Sequence, residues 1–377
     1  MKTSVVFTEL ATGCGHKVGV ASLNSPQTLN GLSLEMCDLL TEKLSQWALD
    51  PSVVMVIMRG EGDKAFSAGG DLHGLYASMQ ANTTGHAWNN EHARRFFETE
   101  YRLDYTIHTY PKPILCWASG IVMGGGVGLM MGASHRVMTE TTRFAMPEIS
   151  IGLFPDVGGT WMLSRLPAGV GQFLALTGAQ LGARDCQWLG LSDYIVPSNA
   201  YHDLIARIVQ AHWSTDPHKN DVLLRRILQA FPVAEPLAQG PLERHILLIR
   251  SACDTRDFST LVSSIQALSD HPDPWIQKAV ATFAAGSPGS ARLSFALLQQ
   301  SRTQSLADVF RNEYIAALHC CAQGDFQEGI RALLIDKDKT PVWNPGTYEQ
   351  ADSAWVQPFF VPPWPPGQAH PLADLGH

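Results

Sequence analysis

The sequence has few charged residues and no excess of positive charge. Charged side chains make up 16% of its 377 residues, and its formal net charge is -8. General binding of nucleic acid needs a basic surface that neutralises a run of phosphates. The composition therefore argues against a nucleic-acid partner, and an anionic ligand would need a local basic site.

Paired cysteines and targeting signals are also lacking. The seven cysteines form no C-x-x-C pair, and an odd number cannot pair completely within one chain. The segment from Met1 to Leu23 shows neither a secretory signal nor an Arg- and Ser-rich transit pattern. No run reaches the roughly 18 apolar residues of a membrane span. We therefore expect reduced thiols, a cytoplasmic localisation and no membrane partner.

Several cofactor and catalytic motifs are missing as well. The chain contains no G-x-G-x-x-G dinucleotide fingerprint and no Gly-Lys-Ser/Thr phosphate loop. None of the 14 histidines stands in a metal-ligand spacing such as H-E-x-x-H. Ser134-His135 lacks the G-x-S-x-G turn of serine hydrolases. We therefore expect no metal ion and no redox cofactor.

The apolar pattern predicts an α/β core followed by helices. The apolar fraction of 45% supports a large buried core. Up to about residue 197, short apolar runs alternate with helical segments, as in strands joined by helical crossovers. We predict helices over Leu34–Ala48 and from Gly124 to Gly132, and helical structure from about Tyr201 onwards. The predicted strands are Lys17–Leu23, Val53–Arg59, Ile114–Ala118, Arg136–Thr139 and Tyr194–Val196.

These patterns divide the chain into three regions. We predict an α/β core over residues 1–200, a helical region over 201–345 and a proline-rich tail over 346–377. In the helical region, apolar residues at helical spacing predict one core-facing helix; they are Leu306, Val309, Phe310, Tyr314, Ala317 and Leu318. Six prolines predict no regular structure in Gln357–His377. Its aromatic residues could pack on the body of the protein, or the segment could be a flexible tail.

Two glycine-containing segments follow apolar strands. In Phe66-Ser67-Ala68-Gly69-Gly70-Asp71, paired glycines allow a close backbone approach, and Asp71 can cap the next helix. In the segment from Gly120 to Gly128, a glycine triplet at a helix N-terminus exposes N–H groups that suit an oxyanion. Either segment alone could equally be a tight turn or a site of close helix packing.

A third segment places two carboxylates among apolar side chains. It runs from Phe144-Ala145-Met146-Pro147-Glu148 to Pro155-Asp156-Val157-Gly158-Gly159. Apolar surroundings disfavour the charged form of a carboxyl and raise its pKa towards the range that suits general acid–base catalysis. Taken alone, each carboxylate could also be a helix cap or a surface group.

Together, the three segments resemble the crotonase (enoyl-CoA hydratase/isomerase) superfamily. The resemblance implies an α/β fold, a crotonase-like spiral of ββα units with an α-helical C-terminal region. It also implies an oxyanion hole in which the backbone N–H groups of Gly70 and Gly125 bind a thioester carbonyl. Acyl-CoA chemistry develops negative charge on that oxygen, and preorganised donors stabilise it.

Two positions separate this chain from the hydratases of the superfamily. Hydratases commonly use a glutamate matching Glu148 and a second glutamate where this chain has Gly128. Asp156 stands where hydratases usually have a glycine. The FPDVGG run after Met146-Pro147-Glu148 resembles the 3-hydroxyisobutyryl-CoA hydrolase branch, which implies that Glu148 and Asp156 are the catalytic pair.

The resemblance covers about residues 15–345. Supporting stretches are Phe96–Tyr101 before Lys112-Pro113, Ser287–Ser290, Glu313-Tyr314, residues 324–332 and Ile335–Lys339. For coenzyme A, which enters as part of the substrate, Lys64 matches a position near the nucleotide, and Ala65 and Ala68 lie in the same motif. Lys337 or Lys339 could meet a phosphate. The alternative for these lysines is a solvated surface position.

The expected activity is hydrolysis of an acyl-CoA thioester. Glu148 would either attack the carbonyl carbon to give a mixed anhydride or activate a water molecule, and Asp156 would position the 3-hydroxyl or share proton handling. Another crotonase enzyme, a hydratase or isomerase, is the first alternative, and a non-catalytic binding protein is the second. A homo-oligomer is possible, because trimer-based assemblies are common in the superfamily.

Overall fold

The computed structural model describes residues 3–82, 84–231 and 237–376. Contacts divide the chain into two compact units whose segments alternate along the sequence. Unit 1 comprises Met1–Gly70, Leu103–Phe144 and Leu181–Arg244, and unit 2 comprises Asp71–Arg102, Ala145–Gln180 and His245–His377. The boundaries predicted near residues 200 and 345 follow composition, whereas these units follow contacts, so those boundaries stay a prediction.

The strands form two sheets. In chain order they are β1 (Val5–Ala11), β2 (Lys17–Leu23), β3 (Val53–Gly60), β4 (Ala65–Ser67), β5 (Ile114–Ala118), β6 (Ile121–Met123), β7 (His135–Met138), β8 (Arg143–Ala145), β9 (Leu181–Gly182) and β10 (Tyr194–Ile195). One sheet has the order β1-β2-β3-β5-β7-β10, in which only β1 runs antiparallel to its neighbour. The other has the order β4-β6-β8-β9.

The helices follow the same numbering. They are α1 (Leu34–Leu49), α2 (Leu72–Ala81), α3 (Glu91–His108), α4 (Gly125–Gly132), α5 (Gly159–Ser164), α6 (Val170–Thr177), α7 (Ala183–Trp188), α8 (Tyr201–Gln210), α9 (Pro217–Gln229), α10 (Pro241–Arg244), α11 (Ile246–Cys253), α12 (Phe258–Gln266), α13 (Pro274–Ala285), α14 (Pro288–Ser301), α15 (Leu306–Ala322), α16 (Asp325–Ile330) and α17 (Ser353–Val356). Within the described ranges, no helix has both the length and the apolar character of a membrane span.

The core of unit 1 lies around the larger sheet. Strand β3 has a continuous apolar sequence, VVMVIM, as is typical of a parallel strand buried on both faces. Leu204 and Ile208 of α8 and Leu224 and Leu228 of α9 pack into the same core cluster. On α1, the ring of Trp47 would lie 2.8 Å from a Cβ at Gly19 of β2, so this strand position has room only for glycine.

Unit 2 is built from helices. Helix α14 packs against α5 and α6, and α15 is capped by Ser305, whose side chain accepts a hydrogen bond from the Asp308 N–H. The predicted apolar face of α15 is confirmed, because Val309, Phe310 and Tyr314 are fully buried in it.

Most sequence-based predictions of secondary structure hold. Strands β2 and β5 match the predicted bounds, β3, β10, α1 and α4 differ by one residue at one end, and β7 is shifted by one residue at both ends. The patterns did not identify β1, the short strands β4, β6, β8 and β9, or helix α3. The short strands carry too few residues for a period-two pattern to stand out.

The prediction for the C-terminal segment is wrong in part. A 3-10 helix forms at Gln357–Phe360. Its proline lies in the first turn, where the N–H that proline lacks would need no partner, so the helix tolerates it. Phe359 and Leu372 are buried, and the Arg102 guanidinium donates to both carboxylate oxygens of Asp374 at 2.8 and 2.9 Å. The segment therefore packs on its own unit rather than forming a flexible tail. Its last residue, 377, lies outside the described residues.

Candidate active site

The predicted oxyanion residues lie on two neighbouring loops of unit 1. Gly70 follows β4, and Gly125 is the first residue of α4. A Cβ at Gly69 would lie 3.8 Å from the Cα of Gly124 and 4.0 Å from the backbone nitrogen of Gly125. Within the described residues, the N–H groups of Gly70 and Gly125 have no acceptor, so both are available as donors.

Glycine is required in this loop for two different reasons. Gly124 has a φ of 49° with a ψ of -125°, a conformation that L side chains rarely adopt. At Gly126, a Cβ would lie 2.5 Å from the carbonyl oxygen of Ser67, so the two backbones could not approach as they do. The triplet therefore fixes where α4 begins and where its free N–H groups lie. Gly128 is also buried in this helix, and no carboxylate replaces the second glutamate of the hydratases.

Glu148 lies in unit 2 and is buried with 4% of its surface exposed. It opens a 3-10 helix, Glu148–Ile151, which ends at Gly152 in the left-handed conformation. Burial raises the pKa of Glu148 well above its usual value, and the nearby Asp156 raises it further. Its Oε2 has no hydrogen-bond partner among the described residues. No donor among the described residues therefore stabilises a charge on this oxygen.

Asp156 is the second buried carboxyl of unit 2. Burial raises its pKa to about 6, and a hydrogen bond from the Tyr101 hydroxyl, 2.8 Å from Oδ2, acts in the opposite direction. Tyr101 is itself fully buried, and burial raises the pKa of its hydroxyl well above the usual value. Tyr101 therefore acts as a neutral donor that stabilises the ionised form of Asp156.

A third carboxyl, Glu100, was missed by the sequence analysis as a functional residue. It is 2% exposed, and its Oε1 has no hydrogen-bond partner among the described residues. Burial raises its pKa well above the usual value, and the charge of Asp156 adds to this effect. Glu100 and Tyr101 belong to a stretch that was recognised only as a family resemblance. The available signal was a charged residue within the aromatic sequence FFETEY.

Burial disfavours the ionised form of all three carboxyls. Each is buried, and Asp156 raises the pKa of both Glu100 and Glu148. Such groups titrate as a coupled set, and burial moves their pKa values towards the range that suits general acid–base catalysis. Carboxyls with raised pKa values that lie close together are typical of catalytic sites.

The predicted coenzyme A contacts belong to both units. In unit 1, Lys64 is exposed, Ala65 is buried in β4, and the Ala68 N–H donates to the Leu29 carbonyl at 3.0 Å, so this amide is not free for a ligand. In unit 2, Lys337 is exposed and has a φ of 58°. Their role towards coenzyme A stays a prediction.

No metal or cofactor site was predicted. Of the residues that the structure describes, no three His, Cys, Asp or Glu side chains are arranged to hold a metal ion. The expectation that the protein uses neither a metal nor a redox cofactor stays a prediction.

We expect Tyr101→Phe to raise the pKa of Asp156 above its value of about 6, because the substitution removes the donor that favours the carboxylate. A hydrogen bond to a charged group is worth about 1.5–3 kcal/mol, which corresponds to roughly one to two pH units. NMR titration of 13C-labelled aspartate carboxyls measures the shift, with Asp156→Asn to assign the signal. An unchanged titration midpoint would show that Tyr101 does not act on Asp156.

Comparisons with known proteins identify the family. A family model described as enoyl-CoA hydratase/isomerase matches residues 18–360. A curated relative from Gallus gallus, "3-hydroxyisobutyryl-CoA hydrolase, mitochondrial", is 36% identical over 91% of this chain and 86% of its own length. The protein of the same name from Danio rerio is 37% identical over 91% and 87%. "3-hydroxyisobutyryl-CoA hydrolase 1" of Arabidopsis thaliana is 34% identical over 91% and 89%.

Solved structures agree on the fold. A carnitinyl-CoA dehydratase from Mycobacterium thermoresistibile is 32% identical with a TM-score of 0.82, and the match covers 96% of this chain and 97% of that chain. An enoyl-CoA hydratase from Rhodobacter sphaeroides is 31% identical with a TM-score of 0.81, over 95% and 97%. The predicted crotonase fold is confirmed.

The vertebrate relatives also correct one prediction. Their names place them in mitochondria, so the predicted cytoplasmic localisation is wrong. That prediction relied on the lack of a recognisable targeting pattern, and such a lack is not positive evidence for a compartment. The family model and the curated relatives together show that this chain belongs to the enoyl-CoA hydratase/isomerase family, in its 3-hydroxyisobutyryl-CoA hydrolase branch.

Proposed function

We propose that this protein hydrolyses 3-hydroxyisobutyryl-CoA to 3-hydroxyisobutyrate and coenzyme A, as a step of valine degradation. The observation that carries the proposal is the buried pair Glu148 and Asp156, together with Gly128 at the position of a second hydratase glutamate. The names of the curated relatives support the same substrate.

In this proposal, backbone amides stabilise the charge that develops on the thioester oxygen. The N–H groups of Gly70 and Gly125 supply the hydrogen bonds, because both lack an acceptor among the described residues. Amide donors fixed by the fold do not have to reorganise as the charge appears, and one such donor typically contributes about 10²–10³ in rate.

Glu148 acts on the carbonyl carbon. In one route its carboxylate attacks the carbon, releases the coenzyme A thiolate and forms a mixed anhydride that water then hydrolyses. In the other route it removes a proton from a water molecule that attacks directly. Both routes need the ionised carboxylate of Glu148, whose Oε2 has no hydrogen-bond partner among the described residues. Asp156 either binds the 3-hydroxyl of the substrate or exchanges a proton with Glu148.

For the coenzyme A part of the substrate, we propose that Lys64 and Lys337 contact phosphate groups. Both side chains are exposed, and an ammonium on a flexible stem is a common partner of phosphate. Ala65 and Ala68 would then lie beside the nucleotide rather than donate to it, because the Ala68 N–H already has an acceptor.

Hydration of an enoyl-CoA is the second candidate function. It is favoured by the names of the solved structures, a carnitinyl-CoA dehydratase and an enoyl-CoA hydratase. Gly128 argues against it, since a glycine cannot share in delivering water to a double bond.

We expect Glu148→Gln to lower kcat by about 10²–10⁴ and to leave KM nearly unchanged, because an almost isosteric amide can neither attack nor remove a proton. Release of free thiol from 3-hydroxyisobutyryl-CoA measures the effect. Full activity of the purified variant would refute the assignment of Glu148.

If Asp156 reads the 3-hydroxyl, Asp156→Gly should slow hydrolysis of 3-hydroxyacyl thioesters more than that of unsubstituted ones. Loss of a buried polar partner typically costs about 1–3 kcal/mol, which is enough to change relative rates. The comparison needs isobutyryl-CoA and 3-hydroxyisobutyryl-CoA as a matched pair. Equal losses on both would restrict Asp156 to proton handling.

The hydrolase and hydratase functions differ in their response to crotonyl-CoA. We expect little loss of its enoyl absorbance, whereas 3-hydroxyisobutyryl-CoA should release free coenzyme A from the same enzyme preparation. Rapid hydration of crotonyl-CoA without thiol release would favour the hydratase. If a folded protein acts on neither substrate, the non-catalytic alternative becomes the better one.

A further inference from the structure

A fourth buried carboxyl of unit 2 belongs to a residue that the proposed chemistry does not use. Glu313 lies on α15 and is fully buried. Its Oε2 accepts a hydrogen bond from the Gly158 N–H at 2.7 Å. Its Oε1 accepts from the Thr160 N–H at 3.1 Å and from the Thr160 hydroxyl at 2.5 Å. One carboxyl thus holds two backbone amides of the turn that follows Asp156.

All three partners of Glu313 are donors, so the position requires an acceptor on both oxygens. Burial raises the pKa of Glu313 to about 8, while the bonds from Thr160 and Gly158 act in the opposite direction. A glutamine of the same shape would turn an N–H2 group towards one of these donors. Either Gly158 or Thr160 would then lose its acceptor.

The turn that Glu313 holds has an unfavourable backbone conformation. Asp156 to Gly159 form a turn that is closed by a hydrogen bond from the Gly159 N–H to the Asp156 carbonyl at 2.6 Å. Both central residues have a positive φ, 54° at Val157 and 77° at Gly158. A β-branched residue in the left-handed region is a true outlier, and it persists only when its surroundings enforce it.

Helix α15 also supports the side chain that contacts Asp156. The ring of Phe310 lies 5.6 Å from the ring of Tyr101, whose hydroxyl donates to Asp156. Phe310 also limits the turn directly, because a Cβ at Gly158 would lie 3.2 Å from its Cζ. A single helix therefore constrains both the backbone that carries Asp156 and the donor that orients its carboxyl.

We propose that Glu313 is a positioning residue. It fixes the turn from Asp156 to Thr160 and thereby holds the Asp156 carboxyl in the position that thioester hydrolysis requires. The inference rests on the proposed role of Asp156 in thioester hydrolysis. Glu313 acts through Gly158 and Thr160 and needs no contact with the substrate. A displacement of about 1 Å of a reacting group can lower a rate about 10²-fold, which is the size of effect that lost support can have.

The first test is Glu313→Gln in the full chain. We expect kcat for 3-hydroxyisobutyryl-CoA to fall about 10- to 10²-fold with KM changed less than about twofold, because positioning acts on the reacting complex. Asp185→Asn is a matched control in unit 1. Asp185 is also a fully buried carboxyl that accepts from two backbone amides, Leu242 at 3.2 Å and Glu243 at 3.0 Å, but these belong to helix α10, which carries no proposed catalytic residue. The proposal would be overturned if Glu313→Gln and Asp185→Asn lowered kcat by the same factor and lowered thermal stability by the same amount.

A double-mutant cycle separates positioning from general damage. When Asp156 is already Asn, adding Glu313→Gln should lower kcat less than about threefold, because the residue being positioned no longer functions. An undiminished second loss would overturn the proposal. If Asp156→Asn alone hydrolyses 3-hydroxyisobutyryl-CoA at full rate, the proposed function of Asp156 fails and this inference fails with it. If Asp156→Asn is impaired but folded Glu313→Gln is fully active, only the inference fails.

Substitutions at Thr160 test the same support while leaving the Glu313 carboxyl in place. Thr160→Ser retains the hydroxyl that donates to Glu313 and should keep kcat within about twofold, whereas Thr160→Val should lower it at least about fivefold. This pair decides the matter if Glu313→Gln does not fold. Equal kcat values for the folded Ser and Val variants would overturn the proposal.

Discussion

The burial of carboxyl groups in unit 2 is the constraint on which the rest of the candidate site depends. Glu100, Glu148 and Asp156 are each at most 5% exposed, and a charge in such a place is unfavourable unless donors compensate it. The Tyr101 hydroxyl is such a donor for Asp156, whereas one oxygen each of Glu100 and Glu148 has no partner among the described residues. Asp156 is therefore the member of this group whose ionised form has a hydrogen-bond donor to stabilise it.

Unit 1 addresses a different chemical requirement. The N–H groups of Gly70 and Gly125 can stabilise a negative charge by donating hydrogen bonds to it. They are themselves uncharged, so their action involves no change of protonation. Their cost is conformational instead, because the loop needs a positive φ at Gly124 and a close backbone approach at Gly126. These requirements explain why the glycine triplet can be recognised in the sequence. The burial of a carboxyl, in contrast, can be inferred only from the residues around it.

This difference also explains how much could be predicted from the sequence. The apolar patterns of the longer strands and the short motifs allowed the fold to be predicted. Gly70, Gly125, Glu148 and Asp156 stand in those motifs, and their catalytic roles stay a prediction. Glu100 and Glu313 lie within helices, where a glutamate is ordinarily a solvated residue. Their burial arises from packing between segments that are far apart in sequence, as in the contact of Glu313 with Thr160. Apart from the aromatic neighbours of Glu100, no local pattern indicates this burial.

Helix α15 carries both core-packing apolar residues and the carboxyl that supports the turn at Asp156. Its apolar residues were predicted to face the core, and they do, yet Glu313 is buried on the same helix. An apolar side chain at this position would bury more hydrocarbon but would leave the amides of Gly158 and Thr160 without acceptors. A lost acceptor costs about 1–3 kcal/mol for each buried group, comparable with what one apolar side chain contributes. The carboxyl is therefore the side chain that satisfies the packing of α15 and the turn at Asp156 together.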